Sequence, residues 1–557
     1  MNVPTAHVDT FARDCLPPRD LWPEFRFDLP ELQYPERLNC GRVLLDDALS
    51  EGHGERIALY SDACSWTYAE LAKHANRIAN VLMLEMGVVP GNRVLLHGTN
   101  TRMLVCAWLA VMKVGAIAVT TMPLLRAKEL AVIATRARIE HALCDISLAA
   151  ELKQAAAASS RLSHVLTWGS GELESAAQRQ SVAYEAVETA RDDVCVLAFT
   201  SGTTGNPKVT MHFHRDVLAM ADVVGRHLLR TSRDDVYLGS PPLGFTFGLG
   251  ALLVLPLRFR AASALVVPAS PQNLLAGVQK FRATCLFTAP TMYRQLAALA
   301  SDYDLSSLRR CISAGEPLTQ AVSDEWYSRT GIRIADGIGA TEMMHIFIGS
   351  IGADTPPGAT GRPLPGYEAC VLDADGRPLP RGSTGRLAVK GPTGCRYLDD
   401  PRQPEYVQNG WNVTGDIYHV DADGYFWFQA RADDMIVSSG YNIAGPEVEA
   451  ALLGHRAVKE CACVAAPDAQ RGQIVKAFIV TNDGYTSGLA LAKELQDFVK
   501  RSIAPYKYPR AIEFMQALPK TQTGKIQRHA LRARERADVH SIGQEHLARV
   551  GVPPSSS

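Results

Sequence analysis

Residues 194–209 read VCVLAFTSGTTGNPKV, and this stretch says more about the fold than any other. An apolar run typical of a buried strand enters a loop with four hydroxyl residues, two glycines and a lysine. Glycines let backbone N–H groups turn towards an anion, and the hydroxyls and the ammonium add donors around it. The residues after Lys208 read VTM, so the chain returns into a strand. A Walker A loop, in which Ser or Thr and then a helix follow the lysine, is therefore excluded.

Helical and strand patterns alternate on both sides of this loop. Thr67 is a good N-cap for a helix over 68–82, where apolar residues recur at spacings of three and four. A strand is predicted at 93–97, a helix at 104–114 and a strand at 116–120. Further strands are predicted at 142–144, 165–167, 264–267, 285–289 and 310–314. Such alternation predicts an α/β fold in which helices cover parallel sheets.

The pattern changes after about residue 358, where short strands alternate with Pro, Gly and Asp turns. Asp423-Gly424 is a strong hairpin signal within this β-rich lobe. From about Asp434 a smaller α+β unit is predicted. Its helices are expected at 445–453 and 489–503, and its strands at 460–465 and 476–481. Residues 1–40, rich in Pro and aromatics, are expected to form an extended arm over the body.

Composition limits the classes of function. The 557 residues carry 57 Lys+Arg against 58 Asp+Glu, and this balance argues against nucleic-acid and membrane-surface partners. The 12 cysteines include no CxxC pair, which favours reduced core thiols over a zinc site or a disulfide framework. No signal peptide and no run of 18 apolar residues is present, so a cytoplasmic location is predicted.

Five stretches, in the same order along the chain, resemble the motifs of the acyl-adenylate-forming enzymes. They are TSGTTGNPK at 200–208, GIGATE at 337–342, GWNVTGD at 410–416, RADDMI at 431–436 and PKTQTGK at 519–525. The segment DGIGATEMMHIF at 336–347 resembles the benzoate–CoA ligase branch of this superfamily. The arm, with LPPRDLW at 16–22 and YPERLN at 34–39, is similar to that of 2-aminobenzoate–CoA ligases.

This resemblance implies a ligase with two half-reactions. A carboxylate attacks the α-phosphate of ATP and releases pyrophosphate, and the thiol of coenzyme A then displaces AMP. Lys525 would bridge the carboxylate and the α-phosphate, Thr341 would donate to that phosphate, and Glu342 would hold Mg²⁺. The resemblance also implies a large domain over 1–432 and a small mobile α+β domain over 433–557, with a hinge at Asp433.

The resemblance assigns further residues to ATP and coenzyme A. They are Thr200, Ser201, Gly202, Thr203, Thr204, Gly205, Lys208, Gly315, Glu316, Pro317, Asp336, Gly337, Ile338, Asp416, Arg431, Gly440 and Tyr441. Asp416 would accept hydrogen bonds from the ribose hydroxyls, and Gly440 and Tyr441 would line the pantetheine tunnel. Ile338 stands where many relatives carry an aromatic residue, so apolar packing on adenine is expected there instead of ring stacking.

The acid is expected to be an aromatic carboxylate. Phe247, Ala314, Gly339 and His345 are predicted around it: Phe247 as a flat wall, Ala314 and Gly339 as space for the ring edge, and His345 as a partner for an ortho substituent. The arm favours 2-aminobenzoate (anthranilate). The alternatives are benzoate or a substituted benzoate, a stand-alone adenylation enzyme that loads a carrier protein, and a catalytically silent nucleotide-binding protein.

Two further hypotheses concern partners and metals. Acylation of Lys525 by a lysine acyltransferase would remove its charge and stop adenylation, as the resemblance implies, and the sequence leaves a homodimer open. The sequence HFH at 212–214 invites a metal hypothesis for His212 and His214. No third ligand is near in sequence, so a structural role is favoured.

Overall fold

A computed structural model describes residues 4–159, 161–200, 207–350, 355–438, 441–468, 471–503, 505–521 and 524–535. The strands are β1 Ile57–Tyr60, β2 Trp66–Thr67, β3 Arg93–His97, β4 Ile117–Thr121, β5 His141–Asp145, β6 His164–Trp168, β7 Val194–Thr200, β8 Lys208–Phe213, β9 Val236–Gly239, β10 Ala262–Ala264, β11 Cys285–Thr288, β12 Arg310–Ala314, β13 Ile334–Gly339, β14 Ile346–Gly349, β15 Arg362–Pro363, β16 Glu368–Leu372, β17 Thr384–Lys390, β18 Val407–Gln408, β19 Trp411–Val420, β20 Phe426–Arg431, β21 Met435–Ser438, β22 Tyr441–Ala444, β23 Val458–Asp468, β24 Gly472–Thr481 and β25 Ala511–Phe514.

The α-helices are α1 Phe11–Asp14, α2 Asp47–Ser50, α3 Tyr68–Leu84, α4 Arg102–Lys113, α5 Ala127–Arg136, α6 Ala149–Ala158, α7 Glu172–Gln178, α8 His214–Val223, α9 Thr246–Leu249, α10 Leu255–Arg258, α11 Pro271–Phe281, α12 Pro290–Leu299, α13 Gln320–Thr330, α14 Gln403–Tyr406, α15 Gly445–Leu453 and α16 Leu489–Ser502. Residues 528–535 are also helical. A π-helical segment, Gly250–Val254, joins α9 to α10.

The chain divides into two compact units. The first unit comprises Met1–Arg381, Ala388–Thr414 and Val420–Trp427, and the second comprises Gly382–Leu387, Gly415–His419 and Phe428–Ser557. A further sheet has the order β16-β17-β19-β18, and β20 also pairs with β19. The predicted domain boundary at 432/433 stays a prediction.

A nine-stranded sheet of the first unit has the order β15-β14-β13-β12-β11-β9-β10-β1-β2. The strands from β13 to β1 run parallel, whereas the pairings β13–β14, β14–β15 and β1–β2 at the two edges are antiparallel. Helices α11, α12 and α13 pack on this sheet through residues such as Leu274, Tyr293 and Trp326. Parallel strands bury both faces, which explains their nearly continuous apolar sequences.

A six-stranded sheet of the same unit has the order β6-β5-β3-β4-β7-β8, and only β8 is antiparallel. The helix that Thr67 was expected to cap begins at Tyr68, and Thr67 and Glu70 form a capping box. The core of this sheet also takes up Ala12 from the N-terminal arm. The arm is attached near β7, where Asp193 accepts hydrogen bonds from Thr5 and from the Ala6 backbone.

The second unit is a smaller α+β body. Its three-stranded sheet has the order β23-β24-β25, and β21 and β22 form an antiparallel hairpin. Helices α15 and α16 cover the sheet with Val448, Leu452, Leu495 and Val499, which pack against strand residues including Val475. Among the described residues no helix is long and apolar enough to cross a membrane.

The α/β class with parallel sheets and a smaller α+β unit is confirmed, and the predictions at β3, β12 and α15 match their bounds. The strand predicted at 264–267 is wrong, because β10 ends at Ala264. Val266 is buried but does not lie in a strand, so the apolar residues at this position indicate burial and not strand formation. The described part of the arm is not uniformly extended, since it contains α1 and two 3-10 turns.

Candidate active site

The paired strands β7 and β8, which flank the predicted phosphate loop, bring Thr200 and Lys208 together. Thr200 ends β7, Lys208 begins β8, and the two residues are opposite each other in the antiparallel pair. The Lys208 ammonium lies 5.1 Å from the centroid of the Tyr397 ring, within the range of a cation–π contact. Five predicted loop residues lie outside the described residues: Ser201, Gly202, Thr203, Thr204 and Gly205.

The 3-10 turn Thr341–Met343 follows β13 and carries Thr341 and Glu342. The hydroxyl of Tyr397 donates to Glu342 Oε1 at 2.6 Å. Glu342 Oε2 accepts no hydrogen bond from the part of the chain that the structure describes, and a carboxylate oxygen is the hard donor that Mg²⁺ prefers. Burial, followed by the nearby Glu342 charge, raises the pKa of Tyr397 well above its ordinary value, so its hydroxyl keeps the proton that it donates.

The residues predicted around adenine lie at or just beyond the carboxyl ends of β12 and β13. Gly315 follows β12 with φ of +88°, a conformation that favours glycine. Glu316 accepts a hydrogen bond from the Thr291 hydroxyl. Gly337 lies opposite Ala314 in the sheet register, and Ile338 is the next residue of β13. Ligands of open parallel sheets bind beyond this end of the strands.

Asp336 lies in β13 and lines a cavity of about 590 Å³. Its backbone N–H donates to the Ser350 hydroxyl at 2.7 Å, while its Oδ1 atom is buried and has no hydrogen-bond partner among the described residues. Burial raises the pKa of Asp336 to about 7. Near neutral pH this carboxyl can therefore both donate and accept a hydrogen bond, which suits the amino and ring nitrogens of a base edge.

The residues predicted around the acyl group lie at the same end of the sheet. The ring centroids of Phe247 and His345 are 5.4 Å apart, and His345 Nε2 lies 3.3 Å from the Phe247 carbonyl oxygen. A Cβ atom on Gly250 would lie 2.3 Å from His345 Cδ2, and one on Gly339 would lie 2.6 Å from the His345 carbonyl oxygen. A side chain at either position would clash with His345, so both positions require glycine. Ala314 is buried at the end of β12.

The ring of His345 is neutral at ordinary pH, because burial lowers its pKa to about 4. With Nε2–H donating to the Phe247 carbonyl, Nδ1 is left as an acceptor. This Nδ1 atom is buried and has no partner among the described residues. Within the described part of the chain, His345 Nδ1 is therefore an uncommitted hydrogen-bond acceptor beside the Phe247 ring.

The second unit carries Asp416 and Arg431, which form an ion pair with Arg431 Nη1 and Asp416 Oδ1 at 3.0 Å. Gly415, the residue before Asp416, has φ of +79°, and a Cβ atom there would meet Arg431 Nη2 at 3.2 Å. The sequence motif thus places a buried carboxylate and a half-exposed guanidinium side by side.

Lys525 is exposed in a tight turn of the same unit. The Thr521 N–H donates to the Lys525 carbonyl oxygen at 2.7 Å, and the Lys525 N–H donates to Thr521 Oγ1 at 3.1 Å. Gly524 has φ of +87°, which this turn requires. Asp433 lies in the 3-10 turn Ala432–Asp434, and the backbone of Tyr441 begins β22. The side chains of Asp433 and Tyr441, and all of Gly440, lie outside the described residues.

The sequence reasoning missed Tyr397 and the role of His212. His212 Nε2 lies 2.8 Å from the Thr341 carbonyl oxygen, and burial lowers the pKa of His212 to about 3. The neutral ring therefore donates to the turn that carries Glu342. His212 and Thr341 are 129 positions apart in the chain, and Glu342 and Tyr397 are 55 positions apart, so no local sequence pattern predicts these contacts.

His214 belongs to a different group. Its ligand atom and those of Cys40 and Cys195 lie within 4.8 Å of one another, and all three residues are buried. His214 Nδ1 accepts a hydrogen bond from the Cys40 backbone N–H at 3.1 Å, so its lone pair is already used. This contact fits the structural role that was favoured over a metal site. All 12 cysteines are free.

Comparison with known proteins places this site in a family. Residues 46–396 match the family model described as AMP-binding enzyme, and residues 447–525 match AMP-binding enzyme C-terminal domain. The chain belongs to the AMP-binding enzyme family. The predicted superfamily is thereby confirmed, and the predicted class of acid–thiol ligase is the class of its named relatives.

Three relatives illustrate the benzoate-ligase branch. Benzoate–CoA ligase of Thauera aromatica is 35% identical over 514 residues, which cover 90% of this chain and 97% of the relative. A solved anthranilate CoA ligase, AuaEII with anthranoyl-AMP, superposes with a TM-score of 0.86 at 33% identity, over 91% of this chain and 99% of that one. A benzoate CoA ligase from Burkholderia xenovorans LB400 gives a TM-score of 0.80 at 30% identity, with 89% and 99% covered.

The buried histidines predict acid sensitivity. The pKa values of His7, His97 and His345 are lowered from 6.5 to about 4, and that of His212 to about 3, chiefly by burial. Below pH 6.5 the unfolded chain takes up protons that the folded chain does not. The stability that these groups contribute is therefore complete above pH 6.5 and is lost as the pH falls towards 4, by about 1.4 kcal/mol per pH unit for each histidine.

We expect the thermal midpoint of unfolding to fall between pH 7 and pH 5, as measured by scanning calorimetry. His97→Asn can keep a partner for the Thr121 hydroxyl, which lies 2.9 Å from His97 Nδ1, and it removes one titrating ring. This variant should show a shallower pH dependence than the parent. An unchanged slope would contradict the assignment for His97.

Proposed function

We propose that the protein is an ATP- and Mg²⁺-dependent aryl-CoA ligase whose preferred acid is 2-aminobenzoate. One observation supports the catalytic part of this proposal: Tyr397 contacts both Glu342 and Lys208. The carboxylate proposed to bind the metal ion and the cation proposed to bind phosphate therefore lie on either side of one side chain in the first unit. The relatives named as benzoate–CoA ligase and anthranilate CoA ligase support the aromatic acid.

In the first half-reaction an oxygen of the aryl carboxylate attacks the α-phosphorus of ATP. The new P–O bond forms as the bond to the bridging β-phosphate oxygen breaks, and pyrophosphate leaves. Both reactants are anions, so the residues act by positioning and charge neutralisation. Lys208 and the loop from Thr200 bind phosphates, Thr341 donates to the α-phosphate, and Lys525 supplies a cation for the carboxylate and that phosphate.

Glu342 is the residue that would hold Mg²⁺, and the ion would neutralise phosphate charge. Asp416 accepts hydrogen bonds from the ribose hydroxyls, and its ion pair with Arg431 fixes the orientation of its carboxylate. Asp336 and Gly337 bind the adenine edge, and Ile338 packs on its face.

In the second half-reaction the sulfur of coenzyme A attacks the acyl carbon of the aryl-adenylate. A C–S bond forms, the bond from that carbon to the phosphate oxygen breaks, and AMP leaves, while the thiol proton passes to solvent. The predicted hinge at Asp433 and the predicted pantetheine contacts of Gly440 and Tyr441 belong to this step. We further propose that acylation of Lys525 by an acyltransferase blocks the first half-reaction only.

His345 supports the choice of 2-aminobenzoate. Its buried Nδ1 atom is an acceptor without a partner among the described residues, and it lies on the ring that packs against Phe247. An ortho amino group would supply the missing donor, whereas an unsubstituted ring would leave the acceptor unsatisfied. One buried hydrogen bond of this kind contributes about 1–1.5 kcal/mol, or about ten-fold in kcat/KM.

The test is a panel of benzoate, 2-aminobenzoate, 2-methylbenzoate and 3-aminobenzoate, assayed for thioester. We expect kcat/KM for 2-aminobenzoate to exceed that for 2-methylbenzoate by about ten-fold. His345→Phe keeps a ring and removes the acceptor, so the ratio should fall towards one. Equal values for the two ortho-substituted acids in the parent enzyme would exclude the role of His345. AMP release that needs a carrier protein and not coenzyme A would favour the alternative adenylation enzyme.

A further inference from the structure

Each residue of the turn Thr341–Met343 accepts a hydrogen bond from a side chain in another part of the first unit. His212 Nε2 donates to the Thr341 carbonyl oxygen at 2.8 Å, and the Thr393 hydroxyl donates to the Met343 carbonyl oxygen at 2.8 Å. The Tyr397 hydroxyl donates to Glu342 Oε1 at 2.6 Å. Of the three, only Tyr397 contacts the functional side chain itself, and the other two hold the backbone on either side of it.

Tyr397 is a rigid support. Its side chain is 1% exposed, and its ring meets that of Tyr406 edge-on with centroids 5.8 Å apart. Its backbone neighbours are tied to β8, because the Leu398 N–H donates to the Val209 carbonyl oxygen at 2.9 Å and the Met211 N–H donates to the Arg396 carbonyl oxygen at 2.8 Å. The hydroxyl that contacts Glu342 is therefore fixed relative to the strand that begins with Lys208.

The face of the same ring lies against the Lys208 ammonium at 5.1 Å. One side chain thus fixes an anion through its hydroxyl and a cation through its ring. A free glutamate side chain would sample several rotamers, and a lysine still more. Tyr397 removes this freedom before ATP binds, and it occupies only one oxygen of the Glu342 carboxylate, which leaves Oε2 for a metal ion.

We propose that Tyr397 is a positioning residue for adenylation: its hydroxyl sets the orientation of Glu342 towards the metal ion, and its ring sets the position of Lys208. The proposal rests on the function proposed above, in which Glu342 holds Mg²⁺. Groups that orient a metal ligand in this way typically change metal affinity or activity by about 10–100-fold when they are removed.

Tyr397→Phe tests the hydroxyl alone, because it keeps the ring against Lys208 and Tyr406. We expect the Mn²⁺ concentration for half-saturation of the enzyme–ATP complex, measured by electron paramagnetic resonance without any acid present, to rise by about ten-fold. The Mg²⁺ requirement of ATP–pyrophosphate exchange should rise in parallel. Thioester formation from supplied aryl-adenylate and coenzyme A should stay within about two-fold of the parent, because it does not use the metal site.

Tyr68→Phe is the matched control, because Tyr68 is also fully buried and its hydroxyl donates to the Ala261 carbonyl oxygen at 2.7 Å, away from the site. This variant should leave Mn²⁺ binding unchanged, and the thermal midpoint of each variant reports whether the fold is intact. If Tyr397→Phe and Tyr68→Phe bind Mn²⁺ equally well, the positioning role of Tyr397 is overturned.

Glu342→Gln separates this proposal from the proposed function. If Glu342→Gln weakens Mn²⁺ binding and Tyr397→Phe does not, only the role of Tyr397 fails. If Glu342→Gln leaves Mn²⁺ binding unchanged, the metal assignment fails, and the role of Tyr397 fails with it. If both variants weaken binding and the double variant is no weaker than Glu342→Gln, the two residues act through one contact, as proposed.

Discussion

Lys525→Ala is expected to lower the rate of aryl-adenylate formation by about 10²–10³-fold, because it removes a cation from a step in which two anions meet. Thioester formation from supplied aryl-adenylate should stay within about two-fold of the parent rate, since that step starts after the adenylyl transfer. ATP–pyrophosphate exchange measures the first half-reaction, and chromatography of the thioester measures the second. The exposed turn tolerates the change, because the hydrogen bonds between Thr521 and Lys525 use the backbone of Lys525.

Lys520→Ala is the control for charge and position, since Lys520 lies five residues earlier and its ammonium pairs with Glu460 Oε1 at 2.8 Å. It should change neither half-reaction by more than about two-fold, as expected of a surface ion pair. Equal loss of both half-reactions in Lys525→Ala would show that the lysine acts on the fold or on substrate binding. It would then not serve adenylation alone.

The parts of the fold that the sequence predicted well are those with a strong local pattern. Strand β3 and helix α15 occur at the predicted residues, because an apolar run and a bounded helical period are short-range signals. The strand predicted at 264–267 failed because β-branched residues also occur in buried loops, and whether they join a sheet depends on a neighbouring strand.

The same contrast holds for the site: short motifs predict some of its residues, whereas contacts between residues far apart in the chain are not predicted by any local pattern. Family motifs predict Glu342, Lys208, Asp416 and Lys525 as site residues, since each lies in a short and dense stretch. They did not locate Tyr397, which approaches Glu342 from 55 residues away. Nor did they assign the contact of His212 with Thr341, across 129 residues. Motifs predict which groups meet the substrate, whereas packing determines which residues contact those groups.

The arm was predicted to lie over the body, and the contacts around Arg396 show how it is attached. The Arg396 guanidinium pairs with Asp216, and the side chains of both residues are fully buried. The faces of Phe213 and of the arm residues Phe25 and Trp22 surround it, with ring centroids 3.9, 4.8 and 5.4 Å from the guanidinium carbon. An arginine can be buried here because it has both an ionic partner and aromatic faces.

Arg396→Met is expected to destabilise the protein by about 3–5 kcal/mol, because it leaves the Asp216 carboxylate buried without its cation. The Phe213 N–H would still donate to Asp216 Oδ2 at 2.9 Å, but one amide does not balance a buried charge. Urea denaturation followed by tryptophan fluorescence measures the loss. The lost pairing also frees the arm, so proteolysis within residues 16–39 should become faster.

Asp216→Asn in the Arg396→Met background separates the charge from the packing. The asparagine keeps an oxygen for the Phe213 N–H and removes the buried charge, so the double variant should regain most of the stability that Arg396→Met loses. Replacement of both partners of a buried ion pair is often neutral, whereas loss of one is costly. If the double variant were as unstable as the single one, the lost stability would have to come from the packing of Arg396 against Phe213, Phe25 and Trp22. The ion pair would then contribute little to holding the arm.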